Sequence, residues 1–70
     1  MKFKMVMNRK KVENGSINGM HFDLITKFPS WQVIDEHPNG RNYVYECEVK
    51  KEDFTAFKNA VKKYDGVEVE

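Results

Sequence analysis

A chain of 70 residues and 8.3 kDa has room for one domain with a small hydrophobic core. Its composition, 40% apolar and 33% charged, is typical of a folded protein and excludes a disordered one. Twelve basic and eleven acidic residues leave a net charge of +1, which excludes a strongly basic nucleic-acid binder and an acidic mimic of DNA. We therefore expect a single domain spanning residues 1–70.

The chain contains one cysteine, Cys47, and no long apolar stretch. A lone cysteine forms neither an internal disulfide nor a cysteine-based zinc site, so we expect a reducing, cytoplasmic environment. No segment approaches the roughly 20 apolar residues that span a bilayer, and no signal peptide is recognisable. We therefore expect no membrane contact.

Hydrophobic spacing in the first half of the chain predicts a strand and then an ambiguous element. Period-two alternation predicts a strand over Lys2–Met7, and the polar segment Asn8–Gly15 that follows has the composition of a turn. Helical spacing with Ser16 as N-cap predicts a helix over Ser16–Phe28. The same stretch also alternates with period two, so a strand remains the alternative. Pro29 ends the element in either case.

The second half repeats this order with clearer patterns. A strand with Trp31, Val33 and Asp35 on one face leads into a hairpin turn and a second strand, and an amphipathic helix precedes a short last strand. Gly66 suits the C-terminal cap of that helix. The predicted bounds are Trp31–His37, the turn 38–40, Asn42–Val49, Lys51–Tyr64 and Val67–Glu70.

Strand–helix–strand repeated twice resembles the ferredoxin-like βαββαβ sandwich over nearly the whole chain. That resemblance implies an α+β fold: a four-stranded antiparallel sheet in the order 4-1-3-2, with two helices on one face. If Ser16–Phe28 is a strand, the alternative is a mostly antiparallel sheet packed on the single helix 51–64. The fold hosts many functions and therefore assigns none.

Alternation along the strands predicts which side chains face the helices. The inner face carries Phe3, Met5, Trp31, Val33, Tyr43, Tyr45, Cys47, Val67 and Val69. The open face carries Lys2, Lys4, Glu46, Glu48, Glu68 and Glu70, with Val6, Ile34 and Val44. The two lysines then lie between glutamates on both sides, in cross-strand pairs that contribute about 0.2–1 kcal/mol each.

The segment 41–45 resembles the aromatic ribonucleoprotein motif of RNA-recognition domains, with Phe3 as a third ring. Base stacking would require Phe3, Tyr43 and Tyr45 to face solvent. The lysines and glutamates of the same strands would then face the helices, and each buried charge costs several kcal/mol. A domain of this size cannot absorb that cost, so we interpret the rings as core.

Basic side chains cluster in the first loop, where Arg9, Lys10 and Lys11 are consecutive. They can grip phosphates as point charges, and Arg41 of the hairpin joins them if the two loops meet. Three or four such contacts give weak, salt-sensitive binding. Weak nucleic-acid binding is therefore the second functional hypothesis.

Neither a metal site nor a catalytic site is predicted. The soft ligands His21, His37 and Cys47 are not spaced three or four residues apart, and Cys47 is expected to point inward. No nucleophile–base pair and no glycine-rich phosphate loop is present. We therefore expect no enzyme activity, no metal and no cofactor.

The leading hypothesis is a small non-enzymatic regulator or inhibitor, an accessory or phage-type modulator that acts by contact with another protein. Trp31 opens the predicted edge strand, where it could anchor a partner by ring insertion or strand addition. The expected contact surfaces are this strand with the 38–41 hairpin, and the open face. Self-association through either is compatible with the hypothesis. The expected contact residues are Trp31, Ile34, His37, Val6 and Val44.

Overall fold

The computed structural model describes residues 1–15, 17 and 19–70, and these form a four-stranded antiparallel sheet with helices. The strands are β1 (Lys2–Asn8), β2 (Gln32–Asn39), β3 (Asn42–Glu48) and β4 (Val67–Val69). The helices are α1 (Arg9–Glu13), α2 (Met20–Lys27) and α3 (Phe54–Val61), and one turn of 3-10 helix at Lys51–Asp53 leads into α3. The predicted α+β class is confirmed.

The strands are ordered β2-β3-β1-β4, and every neighbouring pair is antiparallel. Counted from the β4 edge, this order is 4-1-3-2. β1 and β3 are the central strands, and β2 is a long edge strand that pairs only with β3. Within the described part of the chain, the outer edge of β2 therefore has no neighbouring strand.

One face of the sheet carries the core. Phe57 of α3 lies at its centre, with ring centroids 5.2 Å from Phe3, 5.3 Å from Phe28 and 5.4 Å from Trp31. All nine side chains predicted for the inner face are in this core or packed against it, so that prediction is confirmed. Phe3 is only 7% exposed, which excludes it as a base-stacking surface.

The opposite face carries the charged side chains, as predicted. Lys2 lies opposite Glu48 and Lys4 opposite Glu46 in the β1–β3 register. Lys4 is also bracketed by Glu70, with which it exchanges backbone hydrogen bonds of 3.0 and 2.8 Å. Within the described part of the chain, neither lysine closes an ion pair with these glutamates. The predicted cross-strand attraction therefore acts between loosely placed, solvated charges.

The ambiguous segment forms a helix, so the strand alternative, and the single-helix sheet with it, is wrong. Met20 and Leu24 of α2 point into the core. The predicted N-cap, Ser16, lies outside the described residues, and Gly19 with φ of +79° precedes the helix instead. On the outside of the core, the Tyr64 hydroxyl donates a 2.9 Å hydrogen bond to Asp23, which lowers the pKa of that carboxyl.

Three boundaries differ from the prediction for local reasons. Residues 9–13 form α1 rather than a turn, because the Asn8 side chain accepts a hydrogen bond from the Lys11 backbone and caps the helix. β2 runs on through Pro38 to Asn39, which moves the hairpin turn to Gly40 and Arg41. α3 ends at Val61, so the Gly66 region is a separate turn next to β1 rather than a helix cap.

A β-bulge in β2 is the largest departure from the prediction. Val33 pairs with Cys47, but the next pair joins Asp35 to Glu46, so Ile34 is an extra residue without a partner. One extra residue reverses the facing of every side chain after it. The predicted grouping of Asp35 with Trp31 and Val33 is therefore wrong.

Candidate functional site

The bulge places different side chains on the two faces of the outer half of β2. Glu36 pairs with Tyr45, and Pro38 with Tyr43, so both lie on the helix side of the sheet. Asp35 and His37 lie on the open face. The exposed edge of the sheet therefore has two distinct surfaces, one with aromatic rings and one with metal-ligating groups.

Among residues 1–15, 17 and 19–70, no helix covers the outer ends of β2 and β3. An eight-residue helix such as α2 is about 12 Å long, whereas an eight-residue strand extends to about 26 Å. The uncovered part holds two adjoining depressions of about 380 and 320 Å³ that share Val12 and Tyr45. We call this surface the tyrosine groove, and its lining includes Val12, Met20, Phe22, Pro38, Tyr43 and Tyr45.

Phe22 lies at the rim of the tyrosine groove and is 75% exposed. Met20 and Leu24 pack α2 against the core, so the Phe22 side chain, which lies on the opposite side of the helix, points away from the core. Ile25 is exposed beside it on the same side of the helix. Phe22 therefore contributes little to the core and leaves a large apolar surface free for contact.

The two tyrosines give the groove polar groups as well as apolar area. Burial raises the pKa of the Tyr45 hydroxyl, and the charge and hydrogen bonding of Glu36 raise it further. This hydroxyl therefore stays protonated and able to donate a hydrogen bond. The Arg9 guanidinium lies 5.5 Å from the Tyr43 ring centroid, within the range of a cation–π interaction.

The structure brings Arg41 to the first loop, which the sequence alone could not decide. The Arg9 amide donates a 2.8 Å hydrogen bond to the Arg41 carbonyl. The two loops enclose a hollow of about 570 Å³ lined by Arg9, Lys10, Glu13 and Arg41, among others. We call Arg9, Lys10 and Arg41 the basic cluster.

Two cations of the first loop already have acidic partners. Lys11 forms a 3.1 Å ion pair with Asp65 and so turns away from the basic cluster. Arg9 holds Glu13 at 3.0 Å, which raises the pKa of the guanidinium. Lys10 and Arg41 are therefore the cations best placed to meet an external anion.

Two of the five predicted protein-contact residues are buried, and this part of the prediction is wrong. Trp31 is 1% exposed because its ring packs against Phe57 and, 5.0 Å away, His21. Val44 is 5% exposed because Val6 and His37 flank it in register on the same face. The other three remain accessible, with Ile34 55% exposed in the bulge, His37 exposed and Val6 half-buried.

Sequence reasoning missed Phe22 and the partial exposure of the tyrosines. Phe22 could have been found, because the helical spacing of Met20 and Leu24 already places it on the outer side of a helix. The exposure of Tyr43 and Tyr45 could not, because it depends on where α2 lies on the sheet.

Asp35, His37 and Glu46 come together on the open face, with one ligand atom of each within 4.8 Å of the others. Sequence spacing predicted no metal site because it grouped His37 with His21 and Cys47. The bulge, which that spacing does not reveal, creates the new grouping.

Within residues 1–15, 17 and 19–70, no helix combines the length and apolarity needed to cross a membrane. Comparison of the chain with protein-family models, with curated protein sequences and with solved structures found no significant match.

Proposed function

We propose that this protein is a small non-enzymatic regulator or inhibitor that binds another protein through the tyrosine groove. The observation that carries the proposal is the uncovered outer half of β2 and β3, with Phe22 exposed at its rim. Aromatic side chains supply much of the binding energy in protein interfaces, and tyrosine is enriched among them. An open groove with two tyrosines and a phenylalanine has the side chains that such an interface uses.

The groove is a better contact surface than the free edge of β2. Edge strands avoid pairing with other chains by means of bulges, charged side chains and proline. β2 carries all three, in the bulge at Ile34, in Asp35 and Glu36, and in Pro38. Strand addition along this edge is therefore disfavoured, which leaves the tyrosine groove as the proposed contact surface for a partner protein.

Charge at one end of the groove indicates the chemistry of the partner. The basic cluster adjoins Tyr43 through the Arg9 contact, whereas the opposite end is apolar around Met20 and Phe22. We therefore propose a partner segment in which apolar side chains fill the groove and acidic groups lie against Lys10 and Arg41. The acidic groups would mainly speed association and set the orientation of the segment.

A peptide-display selection on the immobilised wild-type protein tests this proposal. We expect enrichment of segments that combine large apolar residues with Asp or Glu. Synthetic peptides from the selection should bind Phe22→Ala at least about 5-fold more weakly, the equivalent of roughly 1 kcal/mol. Ile34→Ala is the matched control, because Ile34 is an exposed aliphatic side chain that lies outside the groove, beside Lys4 and Glu46 of the open face.

Equal binding by wild type and Phe22→Ala, or a loss confined to Ile34→Ala, would contradict the groove as the contact surface. Sedimentation of the wild-type protein over a range of concentrations separates self-association from binding of another protein. A dimer disrupted by Phe22→Ala would make a second copy of the chain the occupant.

The meeting of Arg41 with Arg9 and Lys10 favours weak nucleic-acid binding as a second function. Three cations at one end of the molecule can neutralise up to three phosphates. The net charge of +1 and the Glu13 carboxylate within the cluster limit its strength. We therefore expect sequence-independent binding that only low salt makes measurable.

Titration of labelled single- and double-stranded oligonucleotides at several salt concentrations tests this second function. For duplex DNA the slope of log K against log salt should be about −2 to −3, one factor of roughly 0.9 for each phosphate contact. Lys10→Gln with Arg41→Gln should abolish binding, and Lys51→Gln with Lys62→Gln should preserve it. Absence of binding at low salt would eliminate this function.

We also propose to class the architecture as ferredoxin-like. The strand order and the antiparallel pairings support this class, as do two helices on one face of the sheet. The additional helix α1 in the first connection distinguishes this chain from the simplest βαββαβ arrangement.

A further inference from the structure

We propose that Asp35, His37 and Glu46 form a binding site for a divalent first-row transition ion, with Zn²⁺ as the representative. The three side chains share the open face of the sheet, and His37 also borders one depression of the tyrosine groove. The inference goes beyond the proposed protein-binding function and shares with it only the bulge at Ile34 and the position of His37.

The geometry of the bulged strand carries this inference. Asp35 and His37 are two residues apart on β2 and point to the same side, and Glu46 is the cross-strand neighbour of Asp35. The His37 Nδ1 atom lies 4.0 Å from the Asp35 Oδ2 atom, and the ligand atoms of all three lie within 4.8 Å of one another.

Small side-chain movements convert this cluster into a coordination shell. Zinc bonds to nitrogen and oxygen are about 2.0–2.2 Å long, so ligand atoms on a tetrahedral ion lie roughly 3.4 Å apart. The cluster therefore has to contract by about 1 Å, which rotation of the side chains can supply. Asp35 and His37 are both exposed and Glu46 is half-buried, so none is locked by core packing.

The donor atoms indicate the class of ion. One imidazole with two carboxylates suits Zn²⁺ and its neighbours, whereas Mg²⁺ and Ca²⁺ prefer shells made entirely of oxygen. Two carboxylates balance the charge of a divalent ion, and three protein ligands leave a coordination position for water. Lys4 lies opposite Glu46 in the strand register but forms no ion pair with that carboxylate.

The rest of the described chain offers few competing zinc ligands. His21 is the only other histidine, and it lies on the helix side of the sheet against Trp31. Cys47 is buried in the core, on the opposite face of the sheet from the three ligands. Zinc that binds this protein should therefore bind at Asp35, His37 and Glu46.

Calorimetric titration of the full chain with Zn²⁺, followed by ¹H–¹⁵N NMR, tests the inference. We expect one ion per chain, with shifts concentrated in residues 33–38 and 44–47, and no comparable response to Mg²⁺. His37→Gln, Asp35→Asn and Glu46→Gln should each weaken binding at least about 10-fold, the lower end of the loss seen when metal sites lose a supporting group. His21→Gln is the matched control and should bind like wild type.

The same titrations define the results that would overturn the site. Zinc binding that survives His37→Gln and Glu46→Gln, or shifts centred on His21, would overturn the site. Absence of saturable binding at about 1 mM Zn²⁺, a Kd too weak to be specific, would do so as well.

Discussion

Trp31→Ala is expected to leave the domain largely unfolded at room temperature. The Trp31 ring is 1% exposed and packs against Phe57, the residue at the centre of the core. Truncating a buried tryptophan to alanine costs about 3–5 kcal/mol. A single core in a chain of this length supplies a total stability of only about 3–5 kcal/mol. The substitution therefore removes most or all of the margin.

Urea denaturation followed by far-ultraviolet circular dichroism measures this effect, because the variant lacks the only tryptophan fluorophore. Phe22→Ala is the control, and its unfolding free energy should stay within about 0.5 kcal/mol of wild type. A Trp31→Ala protein with the wild-type midpoint would show that the ring is not part of the core. Since Trp31→Ala acts on folding, only Phe22→Ala can serve to test binding.

Gly66→Ala is expected to destabilise the protein by about 2 kcal/mol. Gly66 has a φ of +84°, a conformation that costs a residue with a Cβ atom roughly 1–2 kcal/mol. A Cβ atom there would lie 2.9 Å from Lys11 Cγ and 3.2 Å from Asn8 Cβ, so the turn would also have to separate from β1 and α1. The 2.7 Å hydrogen bond from the Asn8 amide to the Gly66 carbonyl would be strained as a result.

Gly40→Ala separates the two contributions to that cost. Gly40 also has a positive φ, of +61°, but an added Cβ atom meets no atom of the described residues within 4 Å. Gly40→Ala should therefore lower the unfolding free energy by only the cost of the positive φ, about 1 kcal/mol. The same urea experiment compares the two variants, and equal losses would contradict close packing between Gly66 and the first helix.

The element order and the core could be predicted from the sequence because they depend on local patterns. Alternation in residues 2–7 and 42–49 places the rings of Phe3, Tyr43 and Tyr45 on one face, and the structure confirms this. The opposite facing would bury the lysines and glutamates of the same strands, and the cost of removing those charges from water excludes it whatever the fold. The choice between helix and strand for the segment that forms α2 depends on its packing against α3, which no local pattern reveals.

The candidate surfaces could be predicted only in part. The basic residues were identifiable, but their meeting with Arg41 depends on the backbone contact between Arg9 and the hairpin. Trp31 was assigned to a surface because it opens an edge strand, yet it lies one residue before β2 and turns into the core. A position at the start of an edge strand therefore does not show that a side chain is exposed.

The bulge at Ile34 underlies both proposals. The bulge places Glu36 beside Tyr45 and Pro38 beside Tyr43. These four side chains form one wall of the tyrosine groove. The same extra residue sets Asp35 and His37 beside Glu46. A regular β2 would place Asp35 on the tyrosine side and remove the metal-ligating cluster.

Nuclear Overhauser contacts between β2 and β3 test this bulge most directly. The bulged register predicts cross-strand contacts from Asp35 to Glu46 and from Glu36 to Tyr45, with no partner for Ile34. Contacts from Ile34 to Glu46 and from Asp35 to Tyr45 would instead show a regular strand, and would contradict both the groove wall and the metal cluster.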